Sequence, residues 1–120
     1  MTENTVDLKK LILLINANKE INANLNLDEG CTFEAEDHKP LIKVINYFIN
    51  YMETISSMPM EVSLELRGDQ YVLIFLSYTD KSDLPPLSDK LSDALSMYKA
   101  KYVAVHEKGK YYQIKVTFQK

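Results

Sequence analysis

A chain of 120 residues with 46% hydrophobic and 26% charged residues is typical of one globular domain, which we take to span residues 1–120. No apolar run approaches the roughly 20 residues of a membrane-spanning helix, and no leader is recognisable at the N-terminus, so we expect a cytoplasmic domain without membrane contact. The net charge of −3 and the single arginine, Arg67, argue against nucleic-acid binding, and the lone Cys31 excludes a disulfide framework.

The first third of the chain predicts a helix followed by two strands. Apolar residues recur at intervals of three and four over 7–18, which predicts an amphipathic helix with Asp7 as its N-cap. Strict alternation of apolar and polar residues over 21–27 predicts a strand with one buried face. A weaker alternation over 31–36 predicts a second, short strand.

The middle of the chain predicts its longest helix and a hairpin. Asp37 is suited to cap this helix and Pro40 to its first turn, and a continuous apolar face extends to about Ser56. We expect this helix to be the main element of the core. Alternating residues over 62–67 and a more continuous apolar run over 71–78 then predict a β-hairpin.

The last third predicts a polar loop, a third helix and a second hairpin. The loop covers 79–86, the helix 87–98, and the strands 102–106 and 111–118, with Gly109 in the turn. A helix followed by two strands thus occurs three times. This order predicts an α+β fold: a two-layer α/β sandwich with a mixed, mostly antiparallel sheet, covered on one face by three helices.

This order of elements resembles that of the histidine-kinase ATPase domain, the GHKL or Bergerat fold, and the resemblance covers nearly the whole chain. It rests on the sequence order together with three local matches. The first is the entry into the first helix at residues 6–8. The second is the "D-x-x-x-L-x-x-V" helix start at Asp37, Leu41 and Val44, and the third is the pair of residues 109–110 in the turn of the closing hairpin.

The resemblance implies an ATP site, but the residues that would form it are replaced. The family uses asparagines of the central helix for the metal, an aspartate after a strand for adenine, and a glycine-rich lid for the phosphates. Aligned on 44–45, the asparagines fall at Tyr47 and Tyr51 and the aspartate at Tyr78. A phenol is neutral near pH 7 and is a poor ligand for Mg²⁺. No glycine occurs over 79–101.

Two polar residues lie near these positions but out of register. Asn50 is one residue away, which on a helix is about 100° of rotation and should point its side chain away from the site. Asp80 is displaced by two residues, and no glycine follows it. Tyr47, Tyr51 and Tyr78 are expected to project together and fill the former nucleotide pocket. Such rings suit either the edge of the core or an aromatic platform for another ligand.

We therefore expect a non-catalytic, degenerate protein of this fold, with no catalytic or metal-binding residues and no cofactor. It would bind a bacterial signalling protein: a response regulator, a kinase or a sigma-factor regulator. One alternative is a diverged anti-sigma or sensor-kinase type domain that still binds ATP and Mg²⁺ through Asn46 or Asn50 and Asp80. Another is a binder of a small ligand in an aromatic pocket. The sequence leaves open homodimerisation and whether the chain is part of a longer protein.

Overall fold

Three helices and seven strands alternate along residues 4–120, the part of the chain that the computed structural model describes. The three helices contribute to one apolar core with one face of the main sheet. The helices are α1 (Leu8–Lys19), α2 (Lys39–Ile55) and α3 (Leu91–Ser96). The strands are β1 (Thr5–Asp7), β2 (Ala23–Leu27), β3 (Thr32–Glu34), β4 (Met60–Arg67), β5 (Gln70–Tyr78), β6 (Ala100–Glu107) and β7 (Tyr111–Gln119).

The main sheet has five strands in the order β2-β4-β5-β7-β6. In this sheet β2 and β4 pair in parallel, while β4–β5, β5–β7 and β7–β6 pair antiparallel. The hairpins β4–β5 and β6–β7 turn at Gly68 and Gly109, and both glycines have positive φ. The α+β class and the mixed, mostly antiparallel sheet predicted from the sequence are confirmed.

The core is built around α2, whose apolar face is fully covered. Its Phe48 side chain is buried and packs against Phe75 of β5, with 5.7 Å between ring centroids. Phe48 also contacts Tyr102 of β6 at 5.6 Å, so the helix is held against both the middle and the edge of the sheet. At 17 residues, α2 is the longest helix described, and no helix of residues 4–120 is long and apolar enough to span a bilayer.

The start of α2 is capped by a distant tyrosine. The N-cap position is His38 rather than the predicted Asp37, and it makes no side-chain capping bond. Asp37 still serves the helix, because its carboxylate accepts a hydrogen bond from the Lys39 N–H at 3.0 Å. The buried Tyr98 hydroxyl accepts from the Leu41 N–H at 3.1 Å and donates to the Asp37 carbonyl at 2.6 Å. One of the unpaired N–H groups of the helix start is thereby satisfied.

The elements differ from the sequence predictions in the first and last thirds of the chain. A short strand that was not predicted, β1, precedes α1, and β3 pairs with it antiparallel in a separate two-stranded sheet. Both strands have three residues, too few for alternation to indicate their partners. The third helix is also shorter than the predicted 87–98, because it begins only at Leu91 and because the chain leaves it through bonds of the Tyr98 and Lys99 N–H groups to the carbonyls three residues back, with a positive φ at Lys99.

Candidate functional site on the middle helix

Two tyrosines of α2 bind the backbone of the segment that joins β5 to α3, residues 79–90, here called the connecting segment. Tyr47 and Tyr51 lie one turn apart, and their rings stack with centroids 6.4 Å apart and planes 19° from parallel. The Tyr47 hydroxyl accepts a hydrogen bond from the Ser88 N–H at 2.9 Å. The Tyr51 hydroxyl donates to the Pro85 carbonyl at 2.6 Å. The two phenols thus attach the connecting segment to α2.

The connecting segment is also held at its beginning and by its apolar side chains. The Thr79 N–H donates to the Lys110 carbonyl at 3.0 Å, and a ring nitrogen of His106 lies 3.3 Å from the Lys81 carbonyl. Leu84 and Leu87 are partly buried and pack against the core. The segment therefore lies along the helix and the adjoining hairpin, with contacts distributed over its length.

The Tyr51 phenol is held in its neutral form. Burial, together with the neighbouring phenol of Tyr112, raises the pKa of Tyr51 from its ordinary value of 10 to about 12. The Tyr112 ring lies 5.6 Å from that of Tyr51, and burial raises its pKa as well. A neutral phenol retains the proton that Tyr51 donates to Pro85, so the attachment does not depend on pH in the physiological range.

The raised pKa of Tyr51 should make the free energy of unfolding depend on pH in the alkaline range. Between pH 10 and 12 an unfolded chain loses the Tyr51 proton while the folded chain keeps it, so the contribution of this group to stability falls as pH rises. We expect the difference in free energy of unfolding between the wild type and Tyr51→Phe to narrow across this window, as measured by urea denaturation at several pH values. A difference that stays constant would contradict the assignment.

The asparagines of α2 bind other partners. The side-chain oxygen of Asn50 accepts a hydrogen bond from the ammonium group of Lys19 in the last turn of α1. The Asn46 amide donates back to the Ile42 carbonyl of its own helix at 3.1 Å. The oxygen that Asn50 would offer to a metal is therefore beside a positive charge, which opposes binding of a divalent cation.

A shallow cavity of about 270 Å³ opens beside the two tyrosines. It is smaller than the usual range of roughly 300–1,000 Å³ for small-molecule sites. Its lining residues are Tyr47, Asn50, Tyr51, Thr54, Ile55 and Pro85. Asn50 thus borders the same cavity as the tyrosines although it bonds to Lys19. Of the three tyrosines expected from the sequence to project together, Tyr47 and Tyr51 border this cavity.

The predicted position of Tyr78 is wrong. Its hydroxyl donates to the Glu61 carboxylate at 2.8 Å, whereas the adjacent Ser77 is buried and donates to the Met52 carbonyl of α2 at 3.0 Å. Because successive strand residues point to opposite faces, Tyr78 lies on the face of the sheet away from α2. The helix-facing residues at this end of β5 are Ser77 and the buried Thr79, and Asp80 is exposed.

Counting alternate residues from the buried Phe75 identifies Ser77 and Thr79 as the residues that face α2. Alignment with the family pattern pointed to Tyr78 instead. Within the described residues, no group of three or more His, Cys, Asp or Glu side chains is placed to hold a metal ion. The Cys31 thiol is buried, which raises its pKa above the ordinary value and makes it unreactive.

Comparison with known proteins gives a likeness in structure only. No protein-family model matches the sequence, and no curated protein sequence matches it. The histidine kinase AdeS of Acinetobacter baumannii superposes with a TM-score of 0.74 at 11% identity, covering 99% of this chain and 68% of AdeS. The histidine kinase domain of the E. coli osmosensor EnvZ gives 0.72 at 8% identity, with 99% and 89% covered. A mycobacterial sensor histidine kinase, MprB, gives 0.72 at 7% identity, with 98% and 97% covered. The TM-scores show a shared fold, and identities this low carry no information about activity.

Proposed function

We propose that this chain, which has the histidine-kinase ATPase fold, is a non-catalytic protein that works as a regulatory module in bacterial signalling by binding another protein. The attachment of the connecting segment to α2 by the hydroxyls of Tyr47 and Tyr51 is the observation that carries the proposal. In the resemblance described above, those two positions belong to the metal-binding asparagines. Here they hold the protein's own backbone.

Two further features, together with the cost of releasing the connecting segment, oppose nucleotide binding at this place. The Lys19 ammonium donates a hydrogen bond to the side-chain oxygen of Asn50. A Mg²⁺ ion would therefore have to displace this ammonium group to reach the oxygen. The chain has no glycine over 79–101, where a close backbone approach to phosphates would call for one. Access also requires breaking the bonds to Pro85 and Ser88, at a net cost of about 0.5–1.5 kcal/mol for each. We accordingly propose that the domain works without ATP or metal.

The proposal for the class of partner is supported by the proteins in which this fold is found. The solved structures reported above are bacterial histidine kinases. We propose a cytoplasmic partner of the same kind of pathway: a response regulator, a kinase or a sigma-factor regulator. Purified receiver and kinase domains from the same cells, titrated against the chain, test this part of the proposal, and saturable binding to one of them is the expected result.

Isothermal titration with ATP and Mg²⁺ tests the loss of nucleotide binding. We expect no saturable heat at millimolar nucleotide, with an active histidine-kinase ATPase domain as the positive control. If micromolar binding is found, Asn50→Ala separates the remaining explanations. Binding lost in Asn50→Ala would support a diverged working ATPase domain that uses the Asn50 amide, and binding kept would require a site elsewhere. Either result refutes the proposal.

A further inference from the structure

The outer edge of β6 is an unusually open edge, and it has no part in the proposed function. This strand pairs with β7 through all eight of its residues without interruption, so no bulge twists it away. No strand within residues 4–120 pairs with its other side. It contains no proline, and Lys101 is its only lysine. Natural proteins usually protect sheet edges with such devices. The opposite edge, β2, has only five residues.

The side chains of β6 leave apolar surface in solvent. Val103 is 61% exposed and Val105 is 45% exposed. Both lie on the face of the sheet away from the helices, here called the open face. Ala104, between them, points to the other face and is exposed as well, so no described helix covers the edge at this point. A strand can therefore approach the middle of β6, around Ala104, from the side.

The direction of the backbone groups identifies which residues would pair. The carbonyls of Lys99 and Glu107 accept hydrogen bonds from the N–H groups of Gln119 and Lys110 at the two ends of β7. Backbone groups of odd-numbered residues in this stretch thus point toward β7. Because the direction alternates along a strand, the N–H and C=O groups of even-numbered residues, Ala104 among them, point outward.

We propose that the occupant of this edge is β6 of a second copy of the chain, paired antiparallel about a two-fold axis at Ala104. The two Ala104 residues would then exchange N–H···O bonds across the axis. Their small side chains would lie next to each other beside the axis. On the open face, Val103 would lie opposite Val105 of the other copy. Lys101 would lie opposite Glu107 of the other copy, which brings opposite charges together.

This register follows from the side chains. An axis at Val103 would put Lys101 opposite Val105, and an axis at Val105 would put Glu107 opposite Val103. Both place a charge against an apolar side chain. Only the axis at Ala104 pairs apolar with apolar and positive with negative, and such cross-strand pairs are the stabilising unit of a sheet. The two five-stranded sheets would join into one, with both helix layers on the same side.

Charge exchange tests the register, with sedimentation equilibrium as the measurement. We expect the wild type to dimerise with rising concentration. Lys101→Glu or Glu107→Lys alone should raise the dimer dissociation constant about tenfold, because like charges would then face each other twice. The double variant should restore the wild-type constant. Both residues are exposed, so the variants should fold, and Leu14→Lys on α1, at a residue 59% exposed, is the matched control.

A single cysteine on the axis gives an independent test. In a hydrogen-bonded antiparallel pair, the Cα atoms of the two directly opposite residues lie about 5.5 Å apart, which is within the range that a disulfide spans. Ala104→Cys should therefore form a disulfide-linked dimer under mild oxidation. Lys101→Cys, whose two copies would be about 20 Å apart, should not, nor should the wild type with its buried Cys31. A monomer at all concentrations overturns the proposal, as does a dimer unaffected by the charge variants or not linked through Ala104→Cys.

Discussion

Phe48→Ala is expected to lower the free energy of unfolding by about 3–5 kcal/mol, the largest effect of any single substitution considered for this chain. The Phe48 side chain has no exposed surface, and its ring packs against Phe75 and Tyr102 from two strands. Truncation would remove these contacts and leave a cavity that the sheet cannot close. Since small domains have roughly 5–15 kcal/mol of stability, a substantial part of the total would be lost.

Urea denaturation followed by circular dichroism measures this change. Leu14→Ala is the matched control, because this α1 side chain is 59% exposed and its truncation should change the free energy of unfolding by no more than about 0.5 kcal/mol. Phe48 also follows Tyr47 on α2, so its loss should loosen the tyrosine contacts with the connecting segment. A destabilisation below 1 kcal/mol would mean that α2 does not pack on the sheet as described.

Tyr47→Phe should speed exchange of the Ser88 amide proton about twofold to tenfold. The substitution keeps the ring and removes the hydroxyl that accepts the Ser88 N–H at 2.9 Å. A hydrogen bond of this kind has a net value of about 0.5–1.5 kcal/mol. Combining it with Tyr51→Phe, which removes the bond to Pro85, should raise the acceleration to as much as about a hundredfold, because the segment then loses both attachments.

Hydrogen exchange observed by NMR makes this measurement for individual amides, and Tyr78→Phe is the control. That substitution removes a hydroxyl whose bond, to Glu61 at 2.8 Å, lies on the opposite face of the sheet. It should leave the exchange of Ser88 unchanged. Equal acceleration in Tyr78→Phe and Tyr47→Phe would indicate a general loss of stability and would contradict a specific attachment.

The parts of the fold that the sequence predicted are those with long, regular periodicity. The apolar stripe of α2, the alternation of β4 and β7 and the continuous apolar run of β5 lie in elements of eight residues or more, so the sequence pattern identified each of them. The pairing of β1 with β3 and the capping of α2 by Tyr98 were missed. Tyr98 lies 57 residues from Leu41, and no local pattern connects two residues at that distance.

The candidate site was predicted in part for the same reason. Tyr47 and Tyr51 share a helix face at a spacing of four, and their proximity follows from helix geometry alone. Alignment with the family pattern predicted that Tyr78 joins them. In the alternation of β5, however, its side chain lies on the face of the sheet away from α2. The hydrogen bonds to Pro85 and Ser88 depend on the path of a segment without regular structure, for which the sequence has no periodic signal.

We propose that the Tyr47 and Tyr51 phenols hold the connecting segment where a nucleotide would otherwise contact the middle helix. The Ser88 amide reports on this place, because its N–H is bonded to Tyr47. Its NMR signal should therefore be followed in the wild-type chain while ATP and Mg²⁺ are added. We expect no saturable change in the Ser88 signal at millimolar nucleotide. A saturable shift of the Ser88 signal at micromolar nucleotide, as the segment lifts from the helix, would contradict it.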